Sequence, residues 1–176
     1  GLMFNADWVN TSLYAGGLKR LNSSFTNSEL APAATSPAPA EFAVLESHAK
    51  DLSPEVFGPA WQPPTGTLRD RQREALRLLG EAGWRLENQR MVDGQGRPMQ
   101  FEILLGEARD ERIALSFARD LERIGIFARV RTVDSAQFTG RLDKFDYDMV
   151  VFRWINSLSP GNEQLNYWGM AAADMN

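Results

Sequence analysis

Residues 101–153, FEILLGEARDERIALSFARDLERIGIFARVRTVDSAQFTGRLDKFDYDMVVFR, decide the fold. Phe101, Ile103 and Leu105 alternate as one side of a strand. Over residues 111–124 the period changes, with Ala114, Phe117, Ala118 and Leu121 at the three-and-four spacing of a helix face. Gly125 ends that helix, because a residue without Cβ enters the left-handed cap at least cost. Ile126, Ala128, Val130 and Thr132 restore the two-residue period of a second strand. Asp134, with Gln137 three residues later, reads as a capping box opening a helix that buries Phe138 and Leu142. Residues 147–153 form the third strand, and its apolar run 149–152 needs cover on both faces. Strand, helix, strand, helix, strand predicts an α/β fold with a parallel β-α-β-α-β sheet, right-handed crossovers and the first strand central.

Working upstream, residues 69–82 predict a helix with a buried stripe of Ala75, Leu78, Leu79 and Ala82, closed by Gly83 with Trp84 folding back. Arg69, Arg71, Arg73 and Arg77 alternate with Asp70 and Glu74, which reads as a solvated face rather than a nucleic-acid helix. Asp93-Gly94 marks a turn between residues 90–92 and a strand starting near Pro98, a small hairpin. Residues 62–66, QPPTG, are the clearest boundary, dividing a helical, loop-rich segment 1–66 from an α/β core 67–176. Within the first segment, residues 5–21 predict a helix with Trp8, Val9, Leu13, Tyr14 and Leu18 on one face, weakened in its middle by Gly16-Gly17. Residues 22–40, with Pro32, Pro37 and Pro39, predict an irregular loop, and residues 41–50 a short helix presenting Phe42, Leu45 and Ala49. Ser53-Pro54 suits another helical turn.

Composition narrows the function classes. The 176 residues are 43% hydrophobic and 24% charged, enough for one domain or one lobe of something larger. A net charge of -4 gives no overall footprint for nucleic acid, and zero cysteines exclude disulfides and thiol chemistry. No run approaches the roughly 20 apolar residues of a membrane helix, and no basic-then-apolar signal segment opens the sequence. Gly1-Leu2-Met3-Phe4 opens inside an apparent amphipathic segment and Ala173-Asp174-Met175-Asn176 shows no capping or tail pattern, as expected of an excised fragment.

Downstream of the third strand, residues 145–169, FDYDMVVFRWINSLSPGNEQLNYWG, turn from strand into a polar loop flanked by aromatics. Arg153 and Trp154 leave the sheet; Asn156, Ser157, Ser159, Asn162 and Glu163 then offer donors and acceptors where ligands of open α/β sheets bind. The bland alternative is a solvated loop anchored by Trp154 and Trp168. Catalysis has poor support. His48 is the single histidine, with no identifiable triad partners. Asp146 and Asp148, two apart, could share a divalent metal, but capping the third strand and pairing with Arg141 or Lys144 explains them as well. Asp93-Gly94-Gln95-Gly96 has too few acids for a calcium loop, and Gly80, Gly83, Gly94 and Gly96 make no phosphate loop.

Three stretches carry a resemblance: AVLESHAKDLSPEVFGPAW, REALRLLGEAGWRLENQRMVDGQGRPMQFEILL, and ERIALSFARDLERIGIFARVRTVDSAQFTGRLDKFDYDMVVFRWINSLSPGNEQ. They resemble the family 5 extracellular solute-binding proteins, the oligopeptide, dipeptide and nickel receptors of ABC transporters. The most telling matches are Leu-Leu-x-x-Ala-Gly-Trp at 78–84, Leu-x-x-Ile-Gly-Ile at 121–126, and the acidic strand ending in Trp154. With DWVNTSLYAGGLKRLNSSFTNSELA near the start, the chain is most similar to the YejA-like, microcin-C-associated branch.

The resemblance implies most of the second lobe of a two-lobed periplasmic receptor with the type II periplasmic-binding-protein fold. It implies a peptide or peptide-like ligand, a membrane permease and the other lobe as partners, and neither cofactor nor metal. In the oligopeptide and dipeptide receptors an aspartate shortly after the strand-ending tryptophan pairs with the ligand's amino terminus. The corresponding positions here read Trp154-Ile155-Asn156-Ser157, and Ser157 carries no charge; Glu163 is the next acid. That departure implies neutral hydrogen bonding to a blocked or internal peptide unit. The rivals are a ligand-sensing domain of a transcription regulator, a metal-dependent enzyme and an interaction-only domain.

Overall fold

The computed structural model describes residues 1–21, 23, 25–31, 37–59, 65–155 and 157–174. Along the chain run α1 (Ala6–Tyr14), α2 (Pro39–Glu46), α3 (Leu68–Glu81), β1 (Arg85–Glu87), β2 (Arg90–Val92), β3 (Gln100–Leu105), α4 (Glu111–Glu122), β4 (Phe127–Thr132), α5 (Ser135–Leu142), β5 (Met149–Val150) and α6 (Glu163–Trp168). Short 3-10 turns occupy Pro54–Phe57, Ala108–Asp110 and Met170–Asp174. By contact the chain forms two compact units, Gly1–Leu18 with Pro63–Arg153, and Lys19–Gln62 with Trp154–Met175. Division by contact thus differs from the division at residue 66, because α1 belongs with the sheet.

The first unit carries a three-stranded parallel sheet in the order β4-β3-β5, with the first strand central as the alternation predicts. Gln100 to Leu105 lie opposite Phe127 to Thr132, and Ile103 and Leu104 lie opposite Met149 and Val150. Ile103, Leu104 and Leu105 are 0–1% exposed, so β3 is covered on both faces. The same expectation fails for β5. Met149 is 38% and Phe152 50% exposed, and the strand pairs over two residues plus the Val151 N–H to Leu104 O bond of 3.3 Å. An apolar run reports burial capacity, not position in a sheet, and β5 is an edge strand among the described residues.

Helices α4 and α3 supply the cover. Ala114, Ala118 and Leu121 are buried on α4 as their spacing requires. On α3 only Ala75 is buried; Leu78 and Ala82 are exposed, contrary to the predicted stripe. The helix meets the core cluster of Met3, Met91, Leu121, Ile124 and Ile126 along Leu68, Ala75 and Leu79, a narrow seam rather than a broad face. Its exposed side carries the Arg73–Asp70 and Arg77–Glu74 ion pairs at 3.5 and 2.6 Å, as befits a solvated face.

Both helices end in the same backbone motif. The Gly83 and Trp84 N–H groups return to the carbonyls of Gly80 and Leu79 (3.0 and 2.9 Å), and those of Gly125 and Ile126 to Glu122 and Leu121 (3.0 and 3.2 Å). Gly125, at φ +77°, also accepts the Met91 N–H at 2.8 Å, and a Cβ there would stand 2.7 Å from Met91 N. β1 and β2 form an antiparallel hairpin closed by Asn88 and Gln89, both left-handed at φ 47° and 65°. The small hairpin expected about Asp93-Gly94 is present as well: Val92 bridges Pro98, the Asp93 N–H bonds Arg97 O at 3.0 Å and the Met99 N–H bonds Met91 O at 2.7 Å. The β1–β2 turn is not marked in the sequence, because Asn-Gln lacks the glycine that usually announces such a turn.

Helix α1 is capped by Asn5 and stops at Ala15 (φ 50°) and Gly16 (φ 80°), so the glycine pair terminates it rather than weakening its middle. Asn10 then holds the Leu18 N–H and carbonyl, each at 2.8 Å. In the second unit α2 starts at Pro39, ahead of the predicted residue 41, and ends at Glu46, with Phe42 edge-on to Phe57 at 5.6 Å. Pro32 and Pro63-Pro64 lie outside the described residues. Among the described residues no helix is long and apolar enough to cross a membrane.

Candidate ligand-binding site

In the first unit the chain leaves β5 and reaches Arg153, the first of the predicted site residues. Its guanidinium forks onto Asp110, Nη2 to Oδ1 at 2.6 Å and Nη1 to Oδ2 at 3.0 Å, with Glu107 at 3.8 Å. Asp110 is 2% exposed and immediately precedes α4. The fork and the attraction of this acid hold the Arg153 guanidinium still further into its charged range.

Neighbouring acids are also taken. Arg141 bonds Glu102 Oε1 at 2.7 Å and Asp146 Oδ2 at 3.0 Å, and Asp148 Oδ2 accepts the Glu102 N–H at 2.9 Å. Asp146 and Asp148 therefore secure the entry to β5, as the pairing alternative has it. Among the described residues no group of three or more His, Cys, Asp and Glu side chains could hold a metal ion. His48 is exposed.

The remaining predicted residues belong to the second unit, apart from Asn156, which lies outside the described residues. Trp154 meets Tyr167 edge-on at 4.9 Å and Trp168 at 5.4 Å with a 35° tilt, while Trp154 and Trp168 stay 54% and 58% exposed. The Tyr167 hydroxyl donates to Ile155 O at 3.4 Å. Tyr167 is the one member of this cluster not among the expected site or anchor residues; its place directly before Trp168 is the sequence signal for it.

The polar loop is organised by Glu163. Its carboxylate accepts the Gly161 N–H at 2.9 Å and lies 3.5 Å from Ser157 Oγ, and Ser157 Oγ also donates to the Ser159 carbonyl. Bonding from the backbone N–H groups of Gly161 and of Glu163 itself holds this carboxyl below the usual glutamate range. Glu163 is thus a loop brace as well as a site candidate. Ser159 and Asn162 are exposed, and the Asn162 side chain makes no cap to α6. Two exposed indoles beside an internally braced loop whose one charge, Glu163, is engaged by backbone N–H groups can stack on a flat or apolar group and hydrogen-bond a polar one.

The sequence and the fold have counterparts. An uncharacterized protein y4wM of Sinorhizobium fredii is 44% identical over 171 residues, 94% of this chain and 26% of that protein. The probable peptide-binding protein YejA of Agrobacterium fabrum is 38% identical over 176 residues, 97% of this chain and 28% of that protein. The present chain therefore spans little more than a quarter of these relatives. The oligopeptide-binding protein AppA of Bacillus subtilis, solved with a nonapeptide, superposes with a TM-score of 0.60 over 94% of this chain and 28% of its own, at 17% identity. That likeness assigns the α/β fold of the type II periplasmic binding proteins. The model of the bacterial extracellular solute-binding proteins, family 5 Middle, matches residues 1–176, so the chain belongs to family 5 of those proteins.

Proposed function

We propose that this chain is most of the second lobe of a receptor that captures peptides or peptide-like solutes in the periplasm and delivers them to an ABC-transporter permease, without catalysis of its own. Family membership and the peptide-binding name of a 38% identical relative support the reading. The observation that carries it is the exposed Trp154–Trp168 pair beside the Ser157–Ser159–Glu163 loop, where the chain continues from the last strand. The indoles wall the ligand, and Asn156, Ser157, Ser159 and Asn162 bond its main chain in the manner of an added strand, leaving side chains broadly tolerated. Ligand shifts the receptor toward a closed form because only that form contacts it from both lobes. Ser157 supplies no charge for a free amine and the nearby Glu163 carboxylate is spent on the Gly161 N–H, which favours a blocked or internal peptide unit as the occupant.

Calorimetry on the full-length receptor tests this. Trp154→Ala is expected to weaken peptide binding at least about tenfold, and acetylating the peptide's amine to leave affinity within about threefold. Loss of binding on acetylation, with Ser157→Ala neutral, would overturn the neutral-recognition part. A single lobe offers half of the cleft, so the isolated chain is expected to bind peptide weakly or not at all, and low-micromolar binding by it would contradict this.

A further inference from the structure

A second surface lies in the first unit, at the opposite end of the sheet from the carboxyl end of β5. Phe127 opens β4 and pairs with Gln100 at the amino ends of the strands. Around it the hairpin tip, the last turn of α4 and the start of β4 border an open hollow of about 610 Å³ lined by Asn88, Gln89, Arg90, Arg119, Glu122, Arg123 and Phe127.

The charges in this hollow are incompletely answered. Arg123 is shared with Asp120 at 3.3 Å. Arg90 lies 5.8 Å from the centre of the Phe127 ring, and among the described residues neither Arg90 nor Arg119 has an ion-pair partner. Glu122 is the one acid of the lining, so the local sign is positive on a chain whose net charge is -4. A cation in the last turn of α4 suits the helix dipole, which accounts for Arg119. It leaves Arg90 and the 41% exposed Phe127 ring without a structural role.

We propose that this hollow is a docking surface for an acidic segment of another protein, whose carboxylates pair with Arg90 and Arg119 while an apolar side chain covers Phe127. Guanidinium forks beside an aromatic ring are a favoured centre for protein contacts. All the lining residues are exposed, so a small molecule would remain largely in water, whereas a projecting chain segment could fill the hollow and cover its rim. Concavity also fits a projecting segment better than a flat lipid surface.

The test uses the protein at its full natural length with an acetylated, amidated pentapeptide of two glutamates, a phenylalanine and two aspartates. Its counterpart replaces the acids by glutamine and asparagine. Arginine side-chain NMR signals are followed during titration, after assignment by Arg90→Lys and Arg119→Lys. The expected result is saturable shifts of Arg90 and Arg119 with the acidic peptide only, weakened by salt. Charge reversal by Arg90→Glu with Arg119→Glu should weaken binding at least about tenfold, and the double lysine variant, which keeps the charge but loses the fork, should weaken it less. Equal response to the neutral peptide, indifference to charge reversal, or silent arginines because the rest of the chain covers them would each overturn the proposal. Binding to phosphatidylglycerol vesicles in preference to the peptide would overturn it in favour of a membrane surface.

Discussion

Arg153 and Asp110, 43 residues apart in sequence, form a bidentate ion pair in which the acid is 2% exposed and the base half-exposed. The pair ties the end of the β5 segment to the start of α4. Arg153→Met strands a buried carboxylate and is expected to cost about 3 kcal/mol. Combined with Asp110→Asn, the loss should fall short of the sum by about 1 kcal/mol or more. Urea denaturation of the four proteins of the cycle measures both numbers.

Gly125 and Gly83 occupy the same position in their caps, at φ +77° and +85°, yet differ in surroundings. A Cβ on Gly83 meets nothing within 4 Å, whereas one on Gly125 would meet Leu86 Cδ1 at 2.6 Å and Met91 N at 2.7 Å. Gly83→Ala should cost about 1 kcal/mol, the left-handed penalty alone. Gly125→Ala should cost at least about 1 kcal/mol more, since the hairpin must move. The same denaturation experiment separates them.

The hairpin tip offers a stabilising change. Gln89 holds φ 65° without being glycine, in a turn whose favoured second residue is glycine. Gln89→Gly is expected to raise stability by about 0.5–1 kcal/mol, the relief of left-handed strain exceeding the added unfolded-state entropy. A lowered thermal midpoint would contradict the turn assignment.

Acid should loosen the polar loop. The Glu163 carboxyl is held below its ordinary value of 4.5 by backbone N–H bonds. Its contribution is therefore complete above about pH 4.5 and is lost as pH falls through the lower folded value. Following the Gly161 amide by NMR from pH 6 to about pH 2 should show the bond to Glu163 released in that lower range, and Glu163→Gln should abolish the transition. A change centred between pH 5 and 6 would belong to another group.

The alternation of periods in residues 101–142 made the parallel sheet and its central strand legible, because Ile103, Leu105, Ala114, Ala118 and Leu121 are both periodic and buried. Gly83 and Gly125 announced their caps for an equally local reason. What escaped was set by distant partners. Met149 and Phe152 have the composition of a central strand but lie where no further strand is described, and Leu78 falls outside the seam fixed by Leu68, Ala75 and Leu79. In the site, the chemistry of Ser157 and Glu163 was readable, but their bond to each other, six residues apart, was not. The fork from Arg153 to Asp110 was equally hidden, since sequence marks the charge and not the acid it will choose.

The central position of β3 has a consequence during synthesis. It leaves the ribosome before either neighbour, and the Glu102–Asp148 bond beside its second neighbour spans 46 residues. At roughly 5–20 residues per second, FEILL waits about 2–9 s for its last partner. For that interval the most apolar strand of the sheet is an open template for other chains, so nascent protein stalled before residue 149 should be far more aggregation-prone than the finished chain.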